Sequence, residues 1–397
     1  MRVGIEALAV SFPATYVSLA DLAEARGVAP SKYLEGIGTR RMAIPTIDED
    51  TVSLAARAAD ECLRRAGVSR DAVGLLAVGT ETAVDHSKPV ASYVQGLVGV
   101  GPRCRVFETK HACYGGTAAL QLALDWIRSG SAAGRKALVI CADIARYGLR
   151  TPGEPTQGAG AVALLVSDAP RLVELHAGVS GLAAADVHDF WRPLYSKDAL
   201  VDGHYSVQCY LDALSGAYQD HRALVGAPGG YADGFAAIAY HVPYGKMARK
   251  AHRQLRQLDG DAAPDASFDA QVAPGLVLPA EIGNIYTGSL YLSLASLLEH
   301  APALDGKRIG LFSYGSGNCA EFFTGTVGPE AQAWVRSLEL PARLAARRAL
   351  SMAEYEAIMV EREGLDTRAY AGDTRREDQA PFAYLGTQDD RRRYGAM

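Results

Sequence analysis

The sequence of 397 residues has no apolar run of the ~18 residues that a membrane-crossing helix requires. It has no long block of basic charge either. The nearest candidate, Arg391 to Arg393, is flanked by Asp389 and Asp390 and reads as a solvated tail. With a net charge of -5 and both signs interspersed, a nucleic-acid groove is not expected. None of the six cysteines (Cys62, Cys104, Cys113, Cys141, Cys209 and Cys319) forms a CxxC pair. A chain this long buries a large core without disulfide staples, so they read as free thiols of a reducing cytoplasm, most of them core fillers. The opening "MRVGIEALAVSFP" lacks a cationic segment followed by a long apolar stretch. It reads as a strand ending at Pro13 and not as a targeting segment.

What is present is alternation. "TVSLAARAADECLRRAGV" has helical spacing and stops at Gly67, whereas "AVGLLAVGTE" is apolar and too short for a helix, so a buried parallel strand is expected. "RVFETK", "RKALVICAD" and "GAGAVALLVSD" read as further strands, with a helix of about four turns after Cys113. The second half repeats the scheme with "FAAIAYHVP", "GNIYTGSLYLSLASLLEH" and "KRIGLFSYGSG". Cys113 lies 23 positions before Lys136, and Asn284 lies 23 before Lys307, each lysine opening a strand. We read this as a duplicated βα unit in a layered α/β fold, which makes Glu81 and His241 counterparts at strand ends. Ligands of α/β sheets bind beyond the carboxyl ends of strands, where Glu81, Cys113, His241 and Asn284 all fall. Residues 261–277 read as an inserted polar loop broken by prolines. The segment from Asp373 onward reads as surface wrapping.

Three residues invite chemistry. Cys113, at the start of its helix, is either a packed cysteine or a thiol whose pKa falls at the positive helix end, with Gly115 and Gly116 leaving room for a substrate. His241, in "AYHVPYGKMARKAH", is either a core histidine or a catalytic one, followed by a cationic face of Lys246, Arg249 and Lys250 suited to phosphate. Glu81 ends a buried strand, where a carboxyl is costly unless it is paired or faces a cleft. In such a place it can act as a general acid or base. The glycine-rich "PTQGAGAVALL" and "FSYGSGN" match neither a P-loop nor GxGxxG before a helix and read as turns.

Taken together, "TETAVDHSKP", "KHACYGGTAAL", "DIARYG", "EPTQGAGAVALL", "DFWRP", "VDGHYS", "YHVPYGKMARKA", "GNIYTGSLYLSLASLLE" and "FSYGSG" resemble the 3-hydroxy-3-methylglutaryl-CoA synthase family, bacterial style, over nearly the whole chain. The resemblance implies a thiolase-like αβαβα fold with two pseudo-equivalent halves, 1–168 carrying Glu81 and Cys113 and 169–397 carrying His241 and Asn284. It implies Cys113 as the acetyl-accepting nucleophile, Glu81 as general acid/base, and His241 as the residue that polarises the acetoacetyl thioester. It assigns Asn284, Ser316 and Tyr314 to the substrate, Asp143, Tyr147, Asp189 and Phe190 to the acetyl-transfer site, Thr156 and Ser206 to substrate contact, and Lys246 and Lys250 to coenzyme A. No cofactor and no metal are implied, acetyl-CoA and acetoacetyl-CoA being substrates; a cytoplasmic homodimer in the mevalonate pathway to isoprenoids is expected. The chain departs from the family at Ala29 and Pro30, where an acidic residue is expected near the coenzyme A adenine. Rival readings are a carrier-protein-dependent synthase of polyketide β-branching, an initiating ketoacyl synthase, which leaves Glu81 unexplained, and an inactive scaffold of the same fold.

Overall fold

The structure, a computed structural model, describes residues 1–227, 229–365 and 381–395. Ten strands form the central sheet. In the first half these are β1 (Gly4–Ser11), β2 (Val73–Gly79), β3 (Arg105–Thr109), β4 (Lys136–Ala145) and β5 (Gly158–Ser167). In the second half they are β6 (Val173–Leu175), β7 (Gly181–Ala184), then β10 (Ala237–Tyr240), β11 (Arg308–Gly315) and β12 (Cys319–Val327), with a small hairpin, β8 (Phe190–Trp191) and β9 (Leu200–Val201), between. The spatial order is β10-β11-β12-β6-β1-β5-β4-β2-β3, with β7 added beside β12. The halves join through β1 and β6. β2 runs parallel to β3 and β4, and β10 parallel to β11, while β5 and β12 return antiparallel. The expected duplication is visible in this mirrored order.

Helices complete five layers. α1 (Leu19–Ala25) lies outside them. α2 (Thr51–Ala66) and α3 (Val90–Val98) cover the outer face of the first half. α4 (Gly115–Arg128) and α7 (Ser289–His300) fill the middle, and α5 (Gly203–Val225) and α6 (Gly245–Leu258) cover the outer face of the second half. Strand alternation drives this arrangement: Leu76 and Val78 enter the outer core while Leu75 and Ala77 enter the central one. Both faces of β2 are therefore buried, which is why "VGLLAVG" carries no polar residue. α2 is bounded by a capping box at Asp50 and Ser53 and by Gly67 in the left-handed region (φ 65°).

Two expectations fail here. Residues 261–277 are no plain loop: Phe268–Gln271 and the start of Val277–Ile282 are short helices, and Phe268 is buried under the Arg249 guanidinium, 3.8 Å from its ring centroid. Pro274 opens a helical turn in this segment instead of breaking it, because a helix's first turn needs no N–H from proline. Nor is Arg391 to Arg393 a plain solvated tail. β13 (Tyr384–Gln388) and β14 (Arg391–Tyr394) form a hairpin, and Arg392 Nη2 and Tyr394 Oη each donate to Asp50 Oδ2 at 2.7 Å. Of the expected surface wrapping, residues 373–380 lie outside the described residues, and the hairpin lies against the N-terminus of α2. α8 (Met352–Leu365) precedes it.

Candidate active site

Glu81 follows β2, and Cys113 sits in the turn between β3 and α4. Parallel pairing of β2 with β3 brings both to one sheet edge. There the Cys113 thiol donates to Glu81 Oε1 at 3.3 Å. Ala112, in the left-handed region at φ 38°, bends the chain so that the thiol faces inward. Such backbone costs about 1–3 kcal/mol and persists only where the surroundings hold it. They do: a Cβ on Gly315, at the end of β11, would lie 2.5 Å from Tyr114 N and 2.6 Å from His111 O. The nucleophile turn of the first half thus rests on the strand end of the second.

The thiol differs from the sequence expectation. α4 begins at Gly115, two residues beyond Cys113. Burial, with Glu81 next to it, pushes the Cys113 thiol well above its ordinary pKa. The resting group is a neutral thiol paired with a carboxyl, and desolvation outweighs the helix end. Burial and the nearby Asp143 push Glu81 up to about 8. This carboxyl changes charge close to neutrality, where an acid/base group works best.

Asp143, on β4, is fully buried. Its Oδ1 accepts from Thr80 Oγ1, the N–H groups of Glu81 and Thr82, and Thr82 Oγ1, while Oδ2 accepts from Thr287 N and Oγ1. It ties the Glu81 loop to the second half. Asp189 acts similarly: Oδ2 accepts from Tyr314 Oη at 2.6 Å and Oδ1 from Gly317 N at 3.0 Å, next to half-buried Ser316. The Phe190 ring meets Tyr147 and Tyr286 edge-on. Tyr147 is half-buried near Cys113 and Glu81, and desolvation with their charges keeps its hydroxyl protonated. Thr156 Oγ1 donates to Gly153 O at 2.7 Å, in the loop over which the Tyr147 ring lies.

His241 follows β10, with its N–H on Phe312 O and its carbonyl accepting from Tyr210 Oη at 2.8 Å. Burial pushes its imidazole down to about 3, so the ring is neutral at physiological pH. Asn284 is buried, and its Oδ1 accepts from Tyr286 N and Ser289 Oγ. A Cβ on Gly158 would lie 2.5 Å from Asn284 O, so the first half sets that backbone too. Lys246 and Lys250 lie on the exposed side of α6, and Ser206 on the first turn of α5. Among the described residues no hydrogen bond or ion pair joins these three to the Cys113–Glu81 pair. Lys246 N donates to Ile37 O, which places α6 against the segment after Ala29 and Pro30. Sequence reasoning passed over Arg192, whose Nη2 donates to the Glu81 carbonyl, and Tyr286, also left-handed at φ 43°. Both lie inside motifs already singled out, "DFWRP" and "GNIYTG".

A thiol facing a carboxyl, at the junction of two mirrored halves, defines a thiolase-like enzyme of the acyl-transferring class. The hydroxymethylglutaryl-coenzyme A synthase N-terminal profile matches residues 1–170, and the C-terminal profile of the same family matches 173–267 and 261–395. A hydroxymethylglutaryl-CoA synthase of Enterococcus faecalis is 41% identical, over 91% of this chain and 92% of that one. The solved structure of MvaS in complex with 3-hydroxy-3-methylglutaryl coenzyme A is 50% identical, with a TM-score of 0.92 over 100% of this chain and 99% of that one. The curacin-pathway HMG synthase in complex with apo donor-ACP is 35% identical, with a TM-score of 0.93 over the whole of both chains. The chain belongs to the hydroxymethylglutaryl-CoA synthase family.

Proposed function

We propose that this protein condenses acetyl-CoA with acetoacetyl-CoA and water, giving (S)-3-hydroxy-3-methylglutaryl-CoA and free coenzyme A. The contact between Cys113 and Glu81 carries the reading. The Cys113 sulphur attacks the acetyl thioester, its proton passes toward Glu81, and coenzyme A leaves as the thiol. The acetyl group now sits on sulphur, which splits one difficult step into two. Glu81, ionised again, removes a proton from the acetyl methyl, and the enolate attacks C3 of acetoacetyl-CoA. Neutral His241 donates a hydrogen bond to the acetoacetyl oxygen, and protonated Glu81 returns its proton to the alkoxide formed there. Water then cleaves the thioester to Cys113 and frees the product. Asn284 and Ser316 hold acyl oxygens, with Tyr314 beside them. Tyr147, Phe190 and Thr156 enclose the acetyl group, while Asp143 and Asp189 hold the surrounding loops. Ser206, Lys246 and Lys250 meet the substrate's coenzyme A arm.

A carrier-protein substrate is the second reading, since relatives include the curacin enzyme and the polyketide 3-hydroxy-3-methylglutaryl-ACP synthase PksG of Bacillus subtilis, the latter 34% identical. The higher identity to MvaS, 50%, favours coenzyme A. Turnover with acetyl-CoA and acetoacetyl-CoA, beside the carrier-linked equivalents, decides. Faster turnover on carrier-linked substrates overturns our choice. We further propose a cytoplasmic homodimer serving mevalonate and isoprenoid synthesis, without cofactor or metal. The free cysteines support the reducing compartment, and no described helix is long and apolar enough to cross a membrane.

A further inference from the structure

Arg192 follows the short hairpin strand β8, directly before Pro193. The three residues before it are fixed in place. Asp189 is pinned by Tyr314 and Gly317, the Phe190 ring packs on Tyr147 and Tyr286, and Trp191 faces outward, 38% exposed. Arg192 itself reaches inward, across the boundary between the halves. Its Nη2 donates to the Glu81 carbonyl and stands 3.5 Å from Glu81 Oε2. The two side chains are 19% and 7% exposed, so water screens this contact weakly.

The groups facing Glu81 are Asp143 from β4, the Cys113 thiol, the hydroxyls of Tyr147 and Tyr286, and Arg192. Among the described residues, Arg192 is the one cation in that set. Asp143 has both carboxyl oxygens engaged in hydrogen bonds with the threonines and N–H groups around it. Its carboxyl stays behind Glu81 and raises the Glu81 pKa.

We infer that Arg192 is a positioning residue for Glu81: latched to the Glu81 backbone, its guanidinium aims the carboxyl at Cys113 and offsets the negative charge of Asp143. This deepens the acid/base reading of Glu81 and rests on it. Nη2 alone makes both contacts and is held there by the planar guanidinium; lysine supplies the charge on a flexible stem without that geometry. Removing the cation disfavours ionised Glu81, so a higher pH is needed to make the base.

The test is the pH profile of turnover on acetyl-CoA and acetoacetyl-CoA for the native enzyme, Arg192→Gln and Arg192→Lys, with Glu81→Gln alongside. Arg192 stands on a surface hairpin, and melting temperatures within a few degrees of native check that the variants fold. In Arg192→Gln the acidic limb should move up by about one pH unit, the low end expected for one opposite charge at this range. The corresponding loss at pH 7 is about tenfold and is largely regained at pH 9. Arg192→Lys should keep the limb near its native place with a lower plateau. A uniform loss at every pH, with the limb unmoved, would mean an ordinary packing contact and overturn the inference. So would an unchanged rate in Arg192→Gln. Near-native turnover in Glu81→Gln is a different result: it overturns the acid/base reading on which the inference stands.

Discussion

At the scale of single residues, the resting state is a neutral thiol hydrogen-bonded to a carboxyl, and this has measurable consequences. Alkylation of Cys113 by iodoacetamide should accelerate up to pH 9 without a plateau, because burial and Glu81 hold the thiol pKa high. Glu81→Gln removes the neighbouring negative charge and should speed alkylation at pH 8; mass spectrometry of the Cys113 peptide reads both. Cys113→Ser should leave a folded protein that labelled acetyl-CoA does not acetylate. Glu81 must be ionised to take the methyl proton, so turnover should fall as pH drops below about 8. Glu81→Ala should still form acetyl-enzyme, more slowly because the thiol loses its proton acceptor, and should lose about 10²–10⁴-fold in turnover, the usual worth of a placed acid/base group. His241→Ala should also acetylate, with the loss falling on acetoacetyl-CoA binding. Near-normal turnover in Glu81→Ala would return that residue to an ordinary loop position.

At the scale of elements, the nucleophile turn depends on a glycine in the other half. Gly315→Ala sets a methyl against two backbone atoms that cannot rotate away, Tyr114 N and His111 O. Overpacking of this kind costs about 1–3 kcal/mol, so the melting temperature should fall and acetyl-enzyme yield should fall with it. An unchanged acetylation rate would show that the turn does not rely on this contact. The helix α6 makes a separate prediction. Lys246→Ala or Lys250→Ala should raise KM for coenzyme A substrates by the equivalent of about 1–2 kcal/mol, the value of one charge-assisted phosphate contact. Small acyl donors without the nucleotide should be affected less. Equal losses for both donors would remove these lysines from nucleotide binding.

At the scale of the whole molecule, distant segments converge on the loop that carries Tyr147. Tyr147 N donates to Gln157 Oε1, Gln157 Nε2 to Tyr355 Oη on α8, and Tyr355 Oη to Glu154 Oε1. Glu154 is buried and receives both Nε and Nη2 of Arg26, the residue that ends α1, and Arg26 also pairs with Glu356 on α8. The late helix and the first one thus clamp a loop between them. Tyr355→Phe leaves buried Gln157 and Glu154 atoms short of a partner, which costs about 1–3 kcal/mol. A melting temperature lowered by several degrees is expected, together with slower acetylation, because Tyr147 loses its support. An unaltered melting temperature would show that this network adds nothing to stability.

The sequence by itself determined the alternation of strands and helices, and with it a layered α/β fold. Apolar runs too short for helices, a helix closed by Gly67, and a unit repeated at one spacing are local signals, and local physics suffices to read them. Glu81, Cys113, His241 and Asn284 were visible for a related reason, since each lies at a strand end or helix start. The short helices over 261–277 and the role of Arg392 were not legible, because both depend on what packs against them. Nor was the state of Cys113, where a helix end argued for a thiolate. Only the tertiary structure set the sulphur against Glu81, behind it Asp143, and Arg192 across from both. A pKa is the sum of burial and neighbouring charge, and those neighbours come from segments up to 111 positions apart in the chain.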